Sequence, residues 1–202
     1  MKRFELSAAD DTPLVGQDAV ASIVAPEDGK YVIQIRETAY GGGSNYRLHI
    51  GTFPRPLAVY PAGGKLGEEV EPKFLGDPAG EFVQKFKLPT ADSKEFTGLF
   101  ATAGIEIAPS PNPFRLFEHG NSLEVEPNNT IALATPATLP NAFNGILQEP
   151  GDIDFFKFTA TKGRSLRSLL WWIVWATSSL PVPLSPMIST VDLEFWREAM
   201  VL

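Results

Sequence analysis

The sequence predicts an all-β protein built from short strands, and three observations carry that expectation. Proline (18) and glycine (17) are abundant and spread between short apolar runs, which favours frequent turns over long helices. Several of these runs alternate apolar and polar residues with period two, the signature of half-buried strands. Turn signals recur about every ten residues, the spacing of small β-sandwich domains. At 202 residues, 44% hydrophobic and 20% charged, the chain has the composition of a folded protein with one or two cores.

The first fifty residues read as strand, turn, strand, loop and strand. In "KYVIQIR" (30–36), Tyr31, Ile33 and Ile35 share one face while Val32, Gln34 and Arg36 share the other. After "GGGSN" comes "YRLHIG", with Tyr46, Leu48 and Ile50 opposite Arg47 and His49. Two alternating runs around a glycine-rich connection predict an antiparallel hairpin, preceded by a "PEDG" turn at 26–29. Residues 52–120 are proline-punctuated, with strand candidates at 57–60, 69–75 and 81–87, and read as a small β domain. Within that span and just past it, "APSPNPFRLFEHGNS" (108–122) reads as an extended, proline-stiffened linker. Beyond "EVEPNNT" (124–130), "IALATPATLP" predicts a helical turn before Pro136, and "FNGILQ" predicts a strand. In "GDIDFFKFTATKG" (151–163), Phe156 and Phe158 point one way and Phe155 and Lys157 the other, a strand that ends in a Lys-Gly turn.

Charge and composition exclude several function classes. A net charge of −7 and a pI near 4.9 argue against nucleic acid, whose phosphates require a basic surface. Without cysteine there are no disulfides, no thiolate catalysis and no thiolate zinc sites. The apolar run "LLWWIVWA" (169–176) falls short of the roughly 20 residues a membrane span needs and reads as a buried strand. The start, "MKRFELSAADD", lacks an apolar core and does not read as a signal peptide, so if the protein is exported the chain is expected to be a piece of something longer or to have a miscalled start.

"EVEPNNTIALATP" through "NGILQEPGDIDFFKFTATKG" (124–163) resembles the opening half of bacterial pre-peptidase C-terminal domains. Those are jelly-roll-like β-sandwiches found as accessory modules of exported proteins. The matching pieces are Glu-Pro-Asn, a glycine-bearing strand, Gly-Asp-x-Asp-aromatic and Lys-Gly, in that order. Residues 10–51, with Asp-Asp, Ala-Pro-x-x-Gly-x-Tyr and a final Tyr-x-Leu-x-Ile strand, resemble the closing half of the same domain. "VYPAGGKLGEEVEPKFLG" (59–76) resembles the start of an immunoglobulin-like module of the transcription-factor-immunoglobulin type. The resemblance implies jelly-roll-like sandwich halves with a small immunoglobulin-like sandwich between them. Residues 1–51 would be a closing half, 52–120 an immunoglobulin-like domain with its linker, and 121–165 an opening half. Residues 166–202 depart from the pattern and read as a truncated or frame-disrupted tail. Because each half supplies strands the other lacks, 1–51 and 123–176 are expected to pack together, within one chain or between two.

The acidic motif points to a hard cation. On an extended segment Glu124, Glu126 and Asn128 face the same way, and Pro127 biases Glu126 to an extended conformation. Asp152 and Asp154 form a second pair two residues apart. Carboxylates gathered without a counter-ion repel and raise one another's pKa, and Ca²⁺ with its six to eight oxygen ligands resolves that conflict. The resemblance assigns calcium ligation to Glu124, Glu126, Asn128, Asp152 and Asp154, at the point where a linker enters the sandwich. Asn129 stands where the family commonly has aspartate, which implies a weakened site. The alternative is that Asn128 and Asn129 cap a turn while the carboxylates remain solvated.

Other constellations carry less. His49 and His119, the only histidines, lack zinc-ligand spacing, and no serine lies in a nucleophile-elbow sequence. The acidic pairs mark no glycosidase cleft. "YGGGSN" joins two strands and so is not a phosphate loop. Asp10 and Asp11 read as polar loop, and Trp171, Trp172, Trp175 and Trp196 as core or tail. The expected function is a non-enzymatic accessory or adhesion module of a secreted, cell-surface or periplasmic bacterial protein. Its expected partners are the other domains of that protein, with no nucleic acid and no membrane span. The rival expectation is a carbohydrate- or fibrous-protein-binding module that uses Tyr31, Tyr40 and Tyr46 on a sheet face.

Overall fold

The computed structural model of the protein describes residues 11–12, 16–37, 41–43, 45–91 and 93–169. The all-β expectation holds: strands dominate, and helix among the described residues is limited to one 3₁₀ turn, Ile131–Leu133. At the start, β1 (Asp11–Thr12) and β2 (Gly16–Ala19) pair antiparallel. The central region holds β3 (Ala58–Tyr60), β4 (Gly63–Lys65), β5 (Glu69–Val70), β6 (Lys73–Leu75), β7 (Phe82–Val83), β8 (Phe86–Lys87), β9 (Thr102–Ala103), β10 (Glu106–Ile107) and β11 (Arg115–Phe117). The last region holds β12 (Asn121–Leu123), β13 (Thr135–Pro136), β14 (Ala142–Asn144) and β15 (Phe156–Lys157).

The central region owns the main core. Val59, Phe74, Leu88, Leu99, Ala101, Ala108 and Phe114 are buried together, with Val70, Phe82, Phe86, Phe96 and Leu116 packed around them. β6 shows how period-two sequence makes this core. Phe74 points inward with no exposed surface, opposite Phe82 across the antiparallel β6–β7 pair. Their rings stack at 5.0 Å, and Phe86 tilts against Phe74 at 5.9 Å. The neighbouring Lys73 faces out and pairs with Glu81 at 2.5 Å. Burying one such phenylalanine stabilises the fold by roughly 1.5–3 kcal/mol, whereas an exposed ion pair contributes about 0–1 kcal/mol.

The segment expected to be a linker instead completes this core. Leu99 and Asn112 form a two-way backbone bridge, with Leu99 N–H to Asn112 O at 2.9 Å and Asn112 N–H to Leu99 O at 2.8 Å. The buried Asn112 donates from Nδ2 to the Pro56 carbonyl at 2.9 Å, and the buried Arg55 donates to the Ser110 carbonyl at 3.1 Å. β11 then runs parallel to β4, in register Arg115↔Gly63. Proline lacks an N–H but leaves its neighbours free to pair, so Pro109, Pro111 and Pro113 alternate with residues that enter the core. Gly98 permits the bridge: its φ is +145°, and a side chain there would collide with the Asn112 carbonyl.

The expected hairpin does not form. Residues 30–36 and 45–50 contain no strand and are exposed throughout, Val32 at 94% and Tyr46 at 74%. A two-stranded ribbon with no apolar surface to cover it is marginal in water, and none of these residues reaches a core. Tyr31 and Phe156, expected to share one core if 1–51 packs on 123–176 within the chain, do not meet. Tyr31 is exposed and its hydroxyl donates to the Glu27 carbonyl, whereas Phe156 stacks on Phe143 at 5.1 Å.

Candidate metal centre

The main chain of the run 124–128 is held by hydrogen bonds to β14, to β13 and to the residue just before β15. Glu124 N–H donates to the Asn144 carbonyl at 2.9 Å, just past the parallel β12–β14 pair. Val125 N–H donates to Thr135 Oγ1 at 3.0 Å, and Phe155 N–H donates to the Asn128 carbonyl at 3.2 Å. Asn128 N–H turns back to Glu126 Oε2 at 2.8 Å. Parallel pairing of β13 with β15, in register Thr135↔Phe156, brings the "GDID" segment alongside. Phe156 and Phe158 both lie against Phe143, as their alternation predicts, which turns Phe155 and Lys157 to the opposite side.

This frame gathers three of the four expected carboxylates. Glu124, Glu126 and Asp154 each offer an oxygen, all within 4.8 Å of one another. Glu124 Oε1 accepts the Ile146 N–H at 2.8 Å, which leaves Oε2 buried without a hydrogen bond. Asp154 Oδ1 is likewise buried and unbonded. Asn128 is fully buried, and neither its Oδ1 nor its Nδ2 has a hydrogen bond. Its amide lies close enough to favour the ionised Asp154, though outside bonding geometry. Asp152 does something different: its Oδ2 accepts the Gln148 N–H at 2.7 Å and ties down the 148–152 loop. Asn129 is exposed.

Electrostatics register the crowding. Burial pushes the Glu124 carboxyl up to about 7; the Ile146 N–H pulls it back, while Asp154 raises it by its charge and by accepting a hydrogen bond from the protonated form, and Glu126 adds repulsion. Burial also raises Asp154, reinforced by the charge of Asp152. Two residues of this site went unnoticed in the sequence. Gly145 lies against the carboxylates, and a Cβ there would sit 2.5 Å from Glu124 Oε2. Tyr60 arrives from β3 and donates its hydroxyl to the Asn144 carbonyl at 3.2 Å; burial and the Glu124 charge push it up to about 12. The glycine in "FNGILQ" was a usable signal for close approach; nothing local to Tyr60 announces its role.

The donor set fits a hard divalent cation. Buried, unbonded oxygens on Glu124, Asp154 and Asn128 are costly unless something electropositive meets them. Oxygen-only donors suit calcium, with water or a second carboxylate oxygen completing the shell. Among the described residues nothing comparable surrounds the histidines, both exposed; Tyr40, Asp10 and the four tryptophans lie outside the described residues. Among the described residues no helix is long and apolar enough to cross a membrane. In comparisons with known proteins, no family model matches the chain, and neither a curated protein nor a solved structure matches it significantly.

Proposed function

We propose that the chain is a non-catalytic accessory or adhesion region of a secreted bacterial protein, built as β-sandwich modules and stabilised by calcium at Glu124, Glu126, Asn128 and Asp154. One observation carries the reading: three carboxylates within 4.8 Å of one another adjoin a fully buried asparagine whose amide has no partner. A turn-capping role would give the Asn128 side chain a hydrogen bond, and it has none. Bound calcium would neutralise the carboxylates and meet the Asn128 Oδ1, with Nδ2 left beside the Asp154 carboxylate, so the metal would act on stability and attachment rather than on chemistry. Asp152 supports the site from outside by fixing the loop that precedes Asp154. The sandwich and jelly-roll organisation, and the larger exported protein as partner, rest on the sequence resemblance. The rival ligand-binding reading needs an aromatic row on a sheet face, and Tyr31 and Tyr46 lie on segments without strands.

Calorimetry and thermal melting of the full chain with CaCl₂ test the proposal. The expected dissociation constant is about 10⁻⁴–10⁻³ M, typical of extracellular modules. Calcium at about 100 times that value should stabilise the fold by about 2.7 kcal/mol. E124Q combined with D154N should abolish both signals. Absence of heat and of any melting shift in the unaltered chain at millimolar calcium would retire the metal site.

A further inference from the structure

Two side chains carry hydrogen bonds between the central region and the strands that hold the acidic cluster. Tyr60, at the end of β3, donates to the Asn144 carbonyl at 3.2 Å, and the same carbonyl receives the Glu124 N–H at 2.9 Å. Asn121, the first residue of β12, donates from Nδ2 to the Gly63 carbonyl on β4 at 2.7 Å. Its Oδ1 accepts from Asn144 Nδ2 at 3.1 Å. Asn144 is therefore shared: its carbonyl serves Glu124 and Tyr60, and its amide serves Asn121. Any force that fixes Glu124 also fixes the acceptor that Tyr60 needs.

We propose that divalent-cation binding by Glu124, Glu126, Asn128 and Asp154 is thermodynamically linked to docking of β3–β4 on β12–β14, with Tyr60 as the positioning residue that joins the two. This rests on the metal reading above. Without a cation the carboxylates repel, and Glu124 moves with the main chain that bonds Asn144. With a cation the carboxylates are drawn to one point, and the Asn144 carbonyl is held where the Tyr60 hydroxyl meets it. Linkage is reciprocal: the factor by which the cation tightens docking is the factor by which docking tightens the cation. The central region thereby becomes a reporter of calcium, although it contributes no carboxylate to the cluster.

Calcium calorimetry and amide hydrogen exchange on the full chain, Y60F and N121A test the linkage. In the unaltered chain calcium should slow exchange at Ile146 within the site. It should also slow exchange across the boundary at Arg115 and Leu66, whose N–H groups bond to Ala62 and Phe117. Y60F should bind calcium about fivefold more weakly and lose the distant slowing while Ile146 remains protected. N121A, which leaves Tyr60 intact, should repeat the loss of distant slowing even if Y60F folds poorly. Calcium binding of unaltered strength in Y60F, or slowing confined to residues 121–157 in the unaltered chain, would overturn the linkage and leave the metal site standing. No calcium binding by the unaltered chain would instead overturn the metal reading itself.

Discussion

Residues 30–50 and residues 58–117 carry the same kind of sequence and meet opposite fates. Both alternate apolar and polar side chains between turn residues. In the second, Phe74 and its neighbours vanish from solvent; in the first, Ile33, Ile50 and Tyr46 remain exposed. Alternation creates an apolar face, but a face becomes a strand only when another surface covers it. The central region supplies that cover internally, through β11 and the Leu99–Asn112 bridge. Residues 30–37 and 45–50 stay exposed among the described residues. The acidic region lies between these extremes, half-buried around Phe143 with buried oxygens that have no hydrogen bond.

The contrast can be broken most forcefully at Phe74. Phe74→Ala should cost about 3–5 kcal/mol in denaturant unfolding, whereas Ile33→Ala should change it by less than about 0.5 kcal/mol. Equal effects would mean that 30–50 is packed after all. Gly98→Ala should follow at about 2–3 kcal/mol, because positive φ and the Asn112 carbonyl both oppose a side chain. Asn112 backbone exchange should accelerate with it. The acidic region should respond to pH instead. Folded Glu124 keeps its proton to about pH 7, against about 4.3 when unfolded. Between those values the folded state binds more protons, so metal-free stability should fall as pH rises from about 5 to 7. Calcium should flatten or reverse that slope, and a metal-free melting temperature that rises through this window would contradict the buried Glu124. Lys73→Ala should be the mildest change, below about 0.5 kcal/mol, because its partner Glu81 is solvated.

Much of this was legible in the chain. The candidates at 57–60, 69–75 and 81–87 coincide with β3, β5–β6 and β7–β8, since local alternation and turns fix antiparallel neighbours. The helical turn before Pro136 appears as Ile131–Leu133, and the Phe156–Phe158 face packs on Phe143. Glu124, Glu126 and Asp154 come together, with the 124–128 run legible from its alternation and the 152–154 segment joined to it only by the resemblance. What escaped was long-range. Parallel pairs such as β4–β11 and β13–β15 leave no turn signature between partners. Proline density disguised 108–117 as a linker, and the distant Tyr60 was invisible from the acidic motif. Asp152 has the right chemistry and spacing, yet the Gln148 N–H claims its carboxylate.

The parallel bond between β4 and β11 also governs the order in which the chain can mature during synthesis. Gly63–Lys65 emerges early, but its partner Arg115–Phe117 follows some fifty residues later, a wide loop to close. Until that stretch leaves the ribosome, Phe74 and Leu88 lack the lid contributed by Phe114. A nascent chain halted before residue 117 would therefore be a sticky, protease-sensitive intermediate, and its first protected state should arise only once β11 is free to dock.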